Sequence, residues 1–235
     1  MRTAFITGGG RGLGRGFAEN FLQQGFQVFI GVRDPAKLDQ QLSAHPDLVA
    51  IKLDVTDDSS IQQAFSEVVS LTDHLDYLVN NAGLNKDTAT NGNKKMVCDL
   101  ASLDRQLLLK MFNVNTVAPA MMVKGFLPLL TPEPAFVINI SSCRSSIKDE
   151  PGSTANYGYR ASKAGLNMMT YCLTRDLPAN VKIYAVHPGM VKTDMNPQGQ
   201  QTPFDQAKYI IGISQNWREE LNGRFLNYDG KFFEV

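Results

Sequence analysis

The sequence predicts an α/β fold: one domain over residues 1–235, built on a doubly wound parallel sheet of about seven strands with helices on both faces. Three observations carry this. Strand-like and helix-like segments alternate along the chain, the pattern of strands joined by helical crossovers. A glycine-rich turn, Thr7-Gly8-Gly9-Gly10-Arg11-Gly12-Leu13-Gly14, separates the first strand from the first helix. The residue clusters able to do chemistry fall where strands end, and ligands of such sheets sit at the carboxyl ends near the topological switch point. Right-handed crossovers then wind helices onto both faces.

Residues 3–7 read as a strand, and residues 13–24 as a helix closed by Gly25. A second strand covers 27–32, followed by a short helix over 35–43 with Pro35 in its first turn. Residues 49–53 form a third strand. The helix over 60–71 is amphipathic, with Ile61, Ala64, Phe65 and Val68 on one face. A fourth strand spans 77–79, and the polar stretch 85–93 reads as a loop. A long helical region runs over 102–130, then a fifth strand over 136–140, a helix over 156–177 and a sixth strand over 181–186. A short seventh strand is expected near Phe225 and Leu226. There are no repeats, low-complexity tracts or linkers.

Composition excludes several classes of function. The net charge is +0 and no basic stretch is present, which argues against nucleic acid. No apolar run is long enough to span a bilayer. The chain enters its first strand at once, leaving no room for a signal peptide. Cys98, Cys143 and Cys172 have neither metal nor redox spacing and read as reduced thiols of a cytoplasmic protein. No metal site is expected. His187 reads as a strand-end residue, and His45 and His74 as surface residues.

The first strand end carries the glycine-rich turn. Alone it would be a flexible loop; between a strand and a helix it fits a pyrophosphate, with Gly8, Gly12 and Gly14 letting backbone approach and the helix end supplying N–H groups through Arg11, Leu13 and their neighbours. At the second strand end, Gly31-Val32-Arg33-Asp34 offers two readings. An acid there selects NAD through a ribose hydroxyl. Arg33, joined by Arg11, pairs instead with a 2′-phosphate and favours NADPH over NADH. Asp34 binds the ribose, neutralises Arg33, or forms a surface pair. Asp54 and Val55 close the third strand; Asp54 is equally suited to the adenine amino group or to a turn. Asn80-Asn81-Ala82-Gly83 closes the fourth, where small residues let backbone pass close to a cofactor.

The chemistry itself points to Tyr159-Arg160-Ala161-Ser162-Lys163. Residues four apart share a helix face, and an ammonium beside a phenol favours the phenolate, which predicts a lowered phenol pKa. After the fifth strand, Asn139-Ile140-Ser141-Ser142 offers a hydroxyl able to bond a substrate oxygen. Alternation puts Ser141 on the face shared by Val137 and Asn139, and Ser142 at the strand's mouth. No histidine sits where it would make either serine a nucleophile. Asn115 lies four residues before Pro119, which has no N–H to give its carbonyl. The helix should kink there and leave the Asn115 carbonyl open to a water.

Taken together, these motifs resemble the short-chain dehydrogenase/reductase family over nearly the full length. Its members carry T-G-x-x-x-G-x-G, N-N-A-G, a serine after the fifth strand, Y-x-x-x-K, and P-G followed by a threonine, matched here at Thr7 to Gly14, Asn80 to Gly83, Ser142, Tyr159 with Lys163, and Pro188-Gly189 with Thr193. Within the family the chain is most similar to the C-factor/sniffer-like carbonyl reductases, through residues 157–163, 187–195 and 225–231. The resemblance implies a Rossmann-like domain reducing a carbonyl with NADPH. It selects Ser142 to polarise the carbonyl oxygen and Tyr159 as proton donor. Lys163 would hold the nicotinamide ribose and lower the Tyr159 pKa, and the Asn115 main chain would hold a relay water. Pro188, Gly189, Val191 and Thr193 would lie against the nicotinamide end, the last two on its carboxamide. Asn81, Ala82 and Gly83 would line the cofactor.

The resemblance also implies pairing of the helices over 103–130 and 156–177 with a second subunit, giving a homodimer or homotetramer. Ser142 and Tyr159 lie further apart in sequence than in the shortest members, so residues 144–153 should form a loop beside the pocket. Residues 195–205 read as a short lid. Rival readings are a C-factor-type regulator that binds cofactor with little turnover, an NAD-dependent alcohol dehydrogenase, and a sugar-nucleotide epimerase. The last usually needs a larger substrate domain.

Overall fold

The computed structural model describes residues 1–85, 100–131, 134–148 and 156–234. Its strands are β1 (Thr3–Thr7), β2 (Gln27–Val32), β3 (Leu48–Lys52), β4 (Tyr77–Asn80), β5 (Ala135–Ile140), β6 (Val181–His187) and β7 (Phe225–Asn227). They form one sheet in the order β3-β2-β1-β4-β5-β6-β7, and each adjacent pair is parallel. The chain winds outward through β2 and β3, returns to the middle, and winds the other way from β4. The switch point therefore lies between β1 and β4, where Ile6 is level with Val79.

The principal helices are α1 (Gly12–Gln23), α2 (Gln40–Ser43), α3 (Asp58–Val69), α4 (Arg105–Phe112), α5 (Ala118–Leu130), α6 (Tyr157–Leu173) and α7 (Pro203–Gln215). Strand alternation divides the core into two layers. Ala4, Ile6, Val28 and Ile30 face Phe17, Phe21, Ile210 and Ile211 of α1 and α7. Phe5, Phe29, Leu78 and Val137 face Ile61 and Val68 of α3 and Met122 and Phe126 of α5. The two helices of the first layer approach closely because Gly16 has no side chain: a Cβ there would lie 2.2 Å from the Pro203 carbonyl oxygen.

Several elements differ from expectation. The helix expected over 35–43 is a 3-10 turn, Pro35–Lys37, followed by α2, because Asp34 caps the first at Ala36 and Asp39 caps the second at Gln41 and Leu42. The helical region over 102–130 is broken by a π-helical turn at Asn113–Val117 that widens the backbone just before Pro119. α7 had no counterpart among the expected elements. Its start is nonetheless well marked, with Thr202 accepting from Asp205 N at 3.0 Å and Pro203 in the first position. Apart from Asn85, the loop expected over 85–93 lies outside the described residues, as do Cys98 and residues 149–153. Past β7 the tail folds back, with Phe233 N donating to Phe225 O at 2.9 Å, and covers that edge of the sheet. Among the described residues, no helix is long and apolar enough to cross a membrane.

Candidate active site

Two motifs more than seventy residues apart are stitched together across the switch point. Asn81 Nδ2 donates to Thr7 O at 2.9 Å and to Gly8 O at 3.2 Å, while Thr7 Oγ1 accepts from the backbone N–H groups of Asn81 and Ala82, each at 3.0 Å. Gly8 and Gly12 have φ of 66° and 52°, the left-handed region that glycine enters freely. Gly14 packs where a Cβ would lie 2.3 Å from Gly8 O and 2.5 Å from Asn81 Nδ2. The first turn of α1 carries no capping side chain and no acid. Its N–H groups and the positive end of the helix thus suit an anionic diphosphate held against bare backbone. Thr193 closes over this turn, its Cγ2 3.3 Å from where a Gly12 Cβ would be. Leu13 and Val191 turn their side chains into the core, so they offer the site only backbone. Gly189, with φ of 75°, turns the chain after Pro188 against the Tyr228 ring.

At the adenosine end the open readings narrow. Asp34 pairs with Lys37 at 3.0 Å and caps Ala36, and the Lys37 contact holds its carboxyl below the usual range. It does not neutralise Arg33, which is exposed and, among the described residues, has neither ion-pair nor hydrogen-bond partner. Arg11 pairs with Asp194 at 3.1 Å, both side chains largely in solvent, a contact worth little. Asp54 Oδ1 accepts from Thr56 N at 2.9 Å and Thr56 Oγ1 at 2.7 Å. Val55 is half-buried against the α3–α5 layer.

Ser142, Tyr159 and Lys163 meet at the end of β5. Ser142 starts a 3-10 turn, Cys143–Ser145, with its Oγ accepting from Arg144 N at 3.2 Å. The same hydroxyl lies close enough to the Tyr159 phenol to act on its proton affinity, and Lys163 Nζ lies 5.9 Å from the phenol ring centre. Lys163 Nζ donates to Ile140 O at 2.7 Å. Gly83 sits beside this group: its missing Cβ would be 3.8 Å from Lys163 Nζ and 3.6 Å from Asn115 Oδ1.

One expectation about this group is corrected. The phenol pKa is raised, not lowered: burial is the largest cause, and the nearby Ser142 hydroxyl opposes it only in part. The amine that should have lowered it is turned to the Ile140 carbonyl, and burial brings its own pKa down from 10.5 to about 8. Both groups are desolvated together, and each is driven toward its neutral form.

The Asn115 side chain ties three segments together. It is fully buried in the π-helical turn, with Oδ1 accepting from Leu84 N at 2.8 Å and Nδ2 donating to Leu84 O at 2.8 Å and to Ser162 Oγ at 3.0 Å. The carboxamide so fastens the turn after Gly83 to α6. Just before α6 stands Asn156, a non-glycine residue at φ 77°. Sequence reasoning also passed over a ladder of amides. Asn80 Nδ2 donates to Asn139 Oδ1 and Asn139 Nδ2 to Thr170 Oγ1, each at 2.8 Å, and Asn167 takes up Ser141 and Ser145. The usable signal was spacing, since Asn167 stands eight residues after Tyr159 on the same helix face. Among the described residues, no cluster of three or more metal-ligating side chains occurs.

A doubly wound sheet with a diphosphate cradle at its switch point and a Ser-Tyr-Lys group beside it has the make-up of an oxidoreductase. The family model for short chain dehydrogenase matches residues 2–203, and the chain belongs to that family. It is 28% identical over 247 residues to the short chain dehydrogenase tazN of Aspergillus terreus, covering 96% of this chain but only 51% of that protein, about half its length. Among solved structures it is similar to the NADPH-bound carbonyl reductase from chicken fatty liver, at 30% identity and TM-score 0.87 over 100% of this chain and 99% of that one. It is also similar to the carbonyl reductase Sniffer of D. melanogaster, at 29% identity and TM-score 0.88 over 100% of both chains.

Proposed function

We propose that the protein is an NADP(H)-dependent carbonyl reductase, a single domain over residues 1–235 that converts an aldehyde, ketone or diketone to its alcohol. The observation that carries this reading is the Ser142–Tyr159 hydroxyl pair with the Lys163 amine beside it. Likeness to the NADPH-bound chicken reductase supports the choice of cofactor. So does Arg33, which has no partner among the described residues and is suited with Arg11 to a 2′-phosphate. NADH lacks that phosphate and gains nothing from either guanidinium.

The cradle fits the nucleotide. Gly8, Gly12 and Gly14 with the start of α1 would hold the diphosphate; Asp54, Val55, Asn81, Ala82 and Gly83 would line the adenosine side and middle. Pro188, Gly189, Val191 and Thr193 would meet the nicotinamide end, and Lys163 the ribose. When bound, NADPH supplies the hydride. Ser142 Oγ–H and Tyr159 Oη–H both donate to the substrate carbonyl oxygen and polarise it. As charge builds on that oxygen, the Tyr159 proton moves to it. A phenol whose pKa is raised by burial stays protonated at neutral pH, which suits it to the reductive direction. Lys163 Nζ, protonated below about pH 8, is the nearby cation that stabilises the phenolate left behind.

A small-molecule carbonyl or alcohol is the partner of this site. Leu109, Met168 and Tyr171, exposed on α4 and α6, support self-association as a homodimer or homotetramer. The free thiols of Cys143 and Cys172 agree with a cytoplasmic place. A pure cofactor-binding regulator would have no use for the phenol proton. The deciding assay is NADPH oxidation against a panel of aldehydes, ketones and diketones, run with Tyr159→Phe. Turnover should fall by about 10²- to 10⁴-fold in the variant with nucleotide affinity kept. Wild-type-like turnover by Tyr159→Phe removes Tyr159 from the mechanism.

A further inference from the structure

We propose that Asn167 is a positioning residue for Ser142, acting through the serines on either side of it. The proposal rests on the acid–base reading above. Tyr159, Lys163 and Asn167 follow one another at four-residue intervals along the face of α6 turned to β5. Asn167 Oδ1 accepts from Ser141 Oγ at 2.6 Å, and Asn167 Nδ2 donates to Ser145 Oγ at 2.8 Å. Ser145 Oγ donates in turn to Ser142 O at 2.6 Å, and Ser145 N donates to the same carbonyl at 3.0 Å.

The direction of every proton in this chain is determined. A carboxamide oxygen only accepts, so Ser141 must donate; a carboxamide N–H only donates, so Ser145 must accept and send its own proton to the Ser142 carbonyl. One amide thereby grips the last residue before Ser142 and the last residue of the turn that follows. The grip matters for chemistry because of what the turn does with the Ser142 hydroxyl. One of its two lone pairs is taken by Arg144 N at 3.2 Å, which orients the hydroxyl beside Tyr159. If residues 142–145 relax, Arg144 N moves off and the hydroxyl loses its aim. Ser141, Ser142 and Ser145 are buried, so bulk water is not at hand to replace the lost bonds.

Two substitutions separate positioning from packing. Asn167→Leu keeps much of the volume and removes both bonds. Asn167→Asp keeps the acceptor toward Ser141 and, while ionised, has no donor for Ser145. Once protonated it regains one. With a carbonyl substrate, Asn167→Leu should lower kcat by about 10- to 100-fold with the KM for NADPH changed less than about twofold, the loss expected of a misaimed group. Asn167→Asp should show a similar deficit at pH 8 that closes toward wild type as pH falls through its carboxyl pKa. A kcat for Asn167→Leu within twofold of wild type, or a deficit in Asn167→Asp that ignores pH, overturns the proposal. If the wild-type protein turns over no carbonyl at all, the functional reading fails separately. The clamp is then read by amide hydrogen exchange at Ser145 and Ser146, whose N–H groups bond Ser142 O and Cys143 O at 3.0 Å each. Faster exchange at both in Asn167→Leu supports the clamp; unchanged exchange overturns it.

Discussion

Replacing Lys163 with methionine should make the nucleotide-free protein more stable at neutral pH while disabling it. The amine is buried, and burial takes its pKa from 10.5 to about 8. At about 1.4 kcal/mol per tenfold, that depression is a penalty of roughly 3 kcal/mol on the charged form. Methionine has a similar reach and no charge. It forfeits the hydrogen bond to Ile140 O, worth about 1 kcal/mol. The balance is a gain of roughly 2 kcal/mol at pH 7, or a rise in Tm of about 4–8 °C for a chain of this size.

The pH dependence makes the argument specific. The unfolded chain keeps the lysine proton up to pH 10.5, but the native chain only to about 8. Between those values the unfolded state binds more protons, so wild-type stability from this group rises with pH, and below about 8 the whole penalty is present. The advantage of Lys163→Met should therefore be full at pH 7 and shrink toward zero by pH 10. Urea unfolding of both proteins at the two pH values measures it. A variant less stable than wild type at pH 7, or a difference that does not narrow with pH, would refute the reasoning.

Gly14→Ala places a methyl within 2.3 Å of Gly8 O and 2.5 Å of Asn81 Nδ2, so it should cost about 1–3 kcal/mol in urea unfolding and weaken NADPH binding; unaltered affinity would mean the glycine turn does not hold the nucleotide. Arg33→Asp combined with Arg11→Ala should weaken NADPH at least about tenfold more than NADH in fluorescence titration. Equal losses for the two nucleotides would remove the 2′-phosphate role.

Legibility varied from element to element, for physical reasons. The strands and the α1 and α3 helices showed in the sequence because their signals are local: alternation, an apolar stripe, a glycine after the last turn. α7 carried equally local signals in Thr202, Pro203 and Asp205, and reading residues 195–205 as a lid masked them. The Tyr159–Lys163 pair was visible because helix geometry alone puts them on one face. The residues that hold the pair were less visible. Asn80 and Asn139 are ordinary polar residues until the sheet brings β4, β5 and α6 together, and only spacing from Tyr159 marks Asn167.

What the sequence determined by itself was the inventory: a doubly wound alternation, a diphosphate turn between strand and helix, and a phenol and an amine on one helical face. Each follows from backbone geometry within a few residues. Tertiary structure decided how those parts act. It paired Asp34 with Lys37, left Arg33 without a partner among the described residues, turned the Asp54 carboxylate onto Thr56, and brought the Ser142 hydroxyl beside Tyr159. It also raised the proton affinity of the phenol where sequence proximity to an ammonium predicted a fall. Proton affinity depends on how much water is excluded around a group and on what its neighbours face, and only the packed chain settles either.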